Sequence, residues 1–84
     1  MKKYLLMTTR TENFNDQYVP AHYEFLDRLK AENRLDMFGP FSDASGGAYL
    51  IRAKSLKEAT EIGHSDPIVE SGSSTLVIKE WQIK

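Results

Sequence analysis

Eighty-four residues make one domain, spanning 1–84: a chain this short buries only about 60 to 65% of its unfolded surface, so a pocket larger than a side chain would borrow walls from a second subunit. With 40% hydrophobic and 27% charged residues the composition is that of a globular protein, and 11 basic against 12 acidic residues, a net charge of -1, argue against electrostatic capture of nucleic acid or an anionic membrane. Cysteine is absent, which removes disulfides, thiolate metal sites and thiol nucleophiles.

The start, MKKYLLMTTRTENF, has only four apolar residues in a row, too few for a signal-peptide core or a membrane span, so the expected compartment is the cytoplasm. Residues 3–9 read as a buried strand. From about Asp16, Tyr18, His22, Phe25, Leu26 and Leu29 recur at spacings of three and four, the stripe of an amphipathic helix with Pro20 in its first turn and a stop near Asn33. Residues 34–41, RLDMFGPF, are extended, with Gly39 held out of helical geometry by Pro40. SDASGG follows as a polar, flexible loop, and 48–54 form a second central strand. Ser55 and Glu58 make a capping box that opens a second helix, whose inner face carries Leu56, Ala59, Thr60 and Ile62. Gly63 stands at the expected C-terminal stop, and Asp66-Pro67 ends the element. The last stretch, from Ser74, is a strand whose apolar phase moves from Leu76 and Ile78 to Trp81 and Ile83, predicting a bulge near Lys79 or Glu80. The order β-α-β-β-α-β predicts an α+β, ferredoxin-like domain, a four-stranded antiparallel sheet with two helices on one face. The other face then needs a cover, and a second copy of the chain is the simplest one.

Several residues could carry chemistry. His22 falls on the apolar stripe, where imidazole is rare; it is either a core histidine bonded to backbone or a general acid/base. Asp66 is either a helix-end carboxylate bonded to a nearby N–H or a partner for that imidazole. Parallel helices would keep these two residues apart. Gly46 and Gly47 either belong to a hairpin loop or turn N–H groups toward an oxyanion. His64 is a rival imidazole whose place at a helix C-terminus is explained by the dipole alone. Arg10, just past the first strand, could pair with a carboxylate. No metal-ligand spacing, phosphate loop or nucleophile elbow occurs, and the basic and aromatic signature of RNA-binding sheets is missing.

Taken in order, PAHYEFLDRL, NRLDMFGPFSD, GGAYLIRAKSLKEA, SDPIVESG and a strand ending in Trp81 resemble the YciI-like family of the dimeric α+β barrel superfamily over Tyr4 to Ile83. The resemblance implies a homodimer whose sheets pack together and enclose a cleft on each subunit. It also implies a catalytic dyad of His22 and Asp66. The expected substrate contacts are Gly39, Pro40, Asp43, Gly46, Gly47 and Ser65, and no metal or cofactor is expected. Some relatives resemble dehydrochlorinases or isomerase-like enzymes acting on small oxygenated ring compounds. Two departures from the family pattern are Asn33, where a Gly commonly ends the first helix, and the short SDASGG loop. The expected function is acid/base chemistry on a small polar organic molecule; the alternative is a dimeric module that binds a metabolite without turning it over.

Overall fold

In β1 (Lys2–Arg10) side chains alternate, so Tyr4, Leu6 and Thr8 point into the core and are buried while Lys3, Leu5 and Met7 face the other way, half-buried. The computed structural model describes residues 1–84 and continues with a 3-10 turn at Asp16–Tyr18, in which the Asn15 side chain accepts from the Gln17 N–H. α1 (Val19–Ala31) follows, with Pro20 in its first turn and Phe25, Leu26 and Leu29 buried. Asn33 leaves the helix at φ 61°, the left-handed exit that its short amide tolerates. Then come β2 (Leu35–Pro40), β3 (Gly46–Ala53), α2 (Leu56–His64), a short α3 (Pro67–Glu70) and β4 (Ser74–Glu80).

The sheet order is β2-β3-β1-β4, with every neighbouring pair antiparallel. β1 and β2 therefore run parallel on either side of β3, and β3 and β4 run parallel on either side of β1. The crossover helices return against opposite strand directions, so α1 and α2 are antiparallel. This corrects the concern that parallel helices would separate His22 from Asp66, since the beginning of α1 and the end of α2 share one end of the layer. Their inner faces and the sheet enclose a core that includes Tyr4, Leu6, Phe25, Leu26, Tyr49 and Ile51.

Four local expectations change. β4 stays in unbroken register with β1 from Ser74 to Glu80, so there is no bulge at Lys79 or Glu80: the strand ends, and the phase shift at Trp81 marks that end. The irregularity lies instead between Leu35 and Met37 of β2. Leu56, expected on the inner face of α2, is exposed, while Ala59 is buried and Thr60 and Ile62 are half-buried. Gly63 is not a helix stop; α2 runs through it to His64. A Cβ on Gly63 would lie 2.6 Å from Leu76 Cδ2 and 2.8 Å from Leu6 Cδ2, so the missing side chain lets the end of α2 settle directly on the sheet. Finally, Gly46 and Gly47 are strand residues rather than part of a flexible loop. The turn between β2 and β3 is tied by Asp43, whose Oδ1 accepts from the Ser45 N–H at 3.0 Å and hydroxyl at 2.6 Å.

Candidate active site

Asp66 has no exposed surface, and a carboxylate in that position needs donors on every side. It has them. As N-cap of α3, its Oδ1 accepts from the Ile68 N–H at 3.1 Å, while the two oxygens each lie 2.9 Å from His22 Nδ1 and Oδ2 accepts from the Tyr49 hydroxyl at 3.0 Å. The two readings of Asp66 are thus compatible: it caps a helix with one oxygen and engages an imidazole with both. Pro67 supports the cap, because it lacks the N–H that a first helical position would leave without a partner.

His22 lies in the first turns of α1 with its side chain 15% exposed. A carboxylate only accepts, so the ring hydrogen facing Asp66 sits on Nδ1, and in the neutral ring Nε2 is left as an acceptor. His22 also lines a cavity of about 70 Å³ between α1 and the sheet. The arrangement can remove a proton from a bound molecule and stabilise the resulting imidazolium against Asp66.

Tyr49 is the member that sequence reasoning missed. It faces the core from β3, its hydroxyl donates to Asp66, and its ring lies 6.1 Å from that of His22, centroid to centroid. Burial, followed by the Asp66 charge and the hydrogen bond to it, pushes the phenol far above its ordinary range, so it remains a donor. The available signal was a phenol on an apolar central strand: a buried Tyr O–H needs an acceptor, and an otherwise unexplained buried Asp supplies one.

The remaining expected residues divide into two groups. Gly39, Pro40, Gly46 and Gly47 line the cavity. Two of these glycines are there for lack of room: a Cβ on Gly46 would fall 1.8 Å from the Thr8 carbonyl oxygen, and one on Gly47 would fall 2.7 Å from that of Gly39. The Gly47 N–H, considered as an oxyanion donor, already points to the Thr8 hydroxyl at 3.3 Å. Asp43 and Ser65 do not reach the cavity: Asp43 holds its turn, with its carboxyl below the usual range because of the Ser45 hydroxyl and N–H, and the Ser65 hydroxyl donates to the Ile62 carbonyl at 2.7 Å. His64 is exposed and lies away from the cavity as well. No three His, Cys, Asp or Glu side chains converge as a metal site, and no helix is long and apolar enough to cross a membrane.

The YCII-related domain matches residues 1–82 of the chain. The uncharacterised protein YjpA of Bacillus subtilis (strain 168) is 68% identical over 84 residues, covering 100% of this chain and 99% of its own length. Among solved structures, the 5-chloro-2-hydroxyhydroquinone dehydrochlorinase of Burkholderia phenoliruptrix AC1100, in complex with 2,5-dihydroxybenzoquinone, superposes with a TM-score of 0.80 over 98% of this chain and 95% of its own. Identity to it is 18%, so that likeness speaks for the fold.

Proposed function

The chain belongs to the YCII-related family, and we propose that it is a homodimeric enzyme that moves a proton on a small polar organic molecule, with His22 as acid and base and Asp66 orienting it. The observation that carries this reading is the 2.9 Å contact between His22 Nδ1 and a fully buried carboxylate on a ring that borders a cavity. A histidine needed only for packing has no use for a buried charge beside it, because that charge is costly to desolvate. In the reaction, the Nε2 lone pair takes a proton from a C–H or O–H made acidic by a neighbouring carbonyl. The electron pair left behind becomes an enolate that is reprotonated elsewhere, or it expels an anion such as chloride. Both outcomes suit the compound class named for the dehydrochlorinase of like fold.

The homodimer is supported by the uncovered face of the sheet. Met37, Val77 and Trp81 are 62%, 49% and 48% exposed there, and Met37 and Trp81 line an apolar hollow that also takes in Leu5 and Leu50. Contiguous apolar surface of this kind marks an interaction site. A second sheet packed on it would cover these side chains; sedimentation at dilute and concentrated protein should show a dimer, and a monomer at both would refute it.

The catalytic test is solvent deuterium exchange into small enolisable carbonyl compounds, together with chloride release from 5-chloro-2-hydroxyhydroquinone. The parent protein should accelerate at least one of these, and His22→Gln and Asp66→Asn should each reduce the rate by roughly 100-fold or more. An equal rate in His22→Gln would sink the proposal. Binding of these compounds without turnover would leave the cleft a metabolite-binding module.

A further inference from the structure

The chain has four arginines, and three of them are accounted for by the fold. Arg34 pairs with Glu58 and Glu32, Arg52 pairs with Asp36, and Arg28 lies in the last turn of α1, where the helix dipole favours a cation. Arg10 differs. It stands at the end of β1, exposed at the mouth of the His22 cavity, with its guanidinium carbon 4.1 Å above the centre of the Phe14 ring. It has no carboxylate within ion-pair distance, so its charge is held in place by an aromatic face that does not neutralise it.

The rest of the lining makes that charge decisive. Arg10 is the one side chain with a permanent charge among those bordering the cavity, and no Asp or Glu opens onto it. The Asp66 carboxylate lies behind His22 and Tyr49, engaged by three donors. A ligand entering the cleft therefore meets one cation and no anion. The planar guanidinium fork matches an oxygen anion, such as a carboxylate or an ionised enol, through two parallel N–H donors.

We propose that the cleft selects small organic oxygen anions and that Arg10 reads their charge, a specificity that rests on the function proposed for the His22 site. The cleft's volume of about 70 Å³ is roughly half that of engineered cavities that take up benzene. A single ring or short chain thus leaves part of itself in the mouth, beside Arg10, while its other end faces His22.

The test compares three planar probes by NMR titration of the labelled protein: benzoate, 2,5-dihydroxybenzoquinone as the ionised enol, and neutral benzamide. At least one anion should bind roughly tenfold or more tightly than benzamide and shift the Arg10 side-chain Nε–H. Arg10→Gln should erase the preference, and Arg10→Lys should keep part of it. Which anion wins tells a carboxylate reader from an enol reader. Equal affinities in the parent protein, a preference that survives Arg10→Gln, or neither anion perturbing the cavity resonances would overturn the proposal. Failure of the acid/base reading is distinguishable, because it would abolish deuterium exchange in the parent protein while leaving the charge preference untouched.

Discussion

Asp36, at the irregular edge of β2, and Asp66, at the start of α3, each gather three donors, yet the two clusters are built from different chemistry. Asp36 accepts from Arg52 Nε at 2.9 Å and Nη2 at 2.7 Å and from the Lys3 ammonium, two cations on the solvent side of the sheet that are themselves more than one-third exposed. Asp66 accepts from an imidazole, a phenol and a backbone N–H, none of them permanently charged, with no surface of its own in water. Permanent cations discharge a carboxylate and leave nothing to titrate at neutral pH, so the Asp36 cluster pins an edge strand. A carboxylate left to polarise a titratable ring is suited to moving protons. The number of hydrogen bonds does not separate the two aspartates; the identity of the donors does.

Removing each carboxylate breaks the comparison most directly. Asp66→Ala strands a buried ring N–H, a phenol and a helix N–H together, and should cost about 3–5 kcal/mol. At this chain length each kcal/mol moves the thermal midpoint by about 4–8 °C, so calorimetry should show a loss of more than 10 °C. Asp66→Asn keeps the shape but turns one acceptor into a donor. Nitrogen NMR should then find the proton redistributed between the two nitrogens of His22; an unchanged Nδ1–H tautomer would disconnect the pair.

Tyr49→Phe removes one donor and should cost about 1–2 kcal/mol. It also sharpens the pH contrast. The phenol's pKa is raised in the folded protein, so its contribution is full below the unfolded value of 10.0 and declines as the pH rises above it. Denaturant midpoints of the parent should therefore fall more steeply than those of Tyr49→Phe between neutral pH and about pH 11. Asp36→Asn should have the smallest effect, about 1 kcal/mol or less, and one that shrinks in salt. Arg52 first and Lys3 second hold that carboxyl below its usual 3.8, so its contribution is present above that value and lost as the pH drops below it. The variant should lack that contribution at neutral pH and converge on the parent in acid, so the acid limb of its stability curve is flatter.

Periodicity and punctuation carried most of the architecture. The three-and-four spacing of Phe25, Leu26 and Leu29, the Ser55 cap and the extended stretch after Asn33 all report local preferences, and the structure follows them. The errors arose where a distant contact overrides a local rule. Gly63 looks like a helix stop until Leu6 and Leu76 are brought beneath it, and Gly46 looks flexible until the Thr8 carbonyl is placed against it. Trp81 looks like a break in the strand phase, yet its N–H still donates to the Lys3 carbonyl at 2.9 Å, and its side chain joins Leu5 and Leu50 on the uncovered face, an apolar surface that no window of sequence records. His22 and Asp66 were legible as oddities, an imidazole on an apolar stripe and an Asp before Pro. Tyr49 was not, since an aromatic residue on a central strand is the commonest filling for a core.

The cap that Asp66 places on α3 ties two equilibria together. The oxygen that holds the Ile68 amide also faces the imidazole, so any fluctuation that unwinds the turn at Pro67 releases both groups at once. Hydrogen-exchange protection at the Ile68 amide is then a gauge of how often the cleft is disarmed, readable with no ligand in the tube.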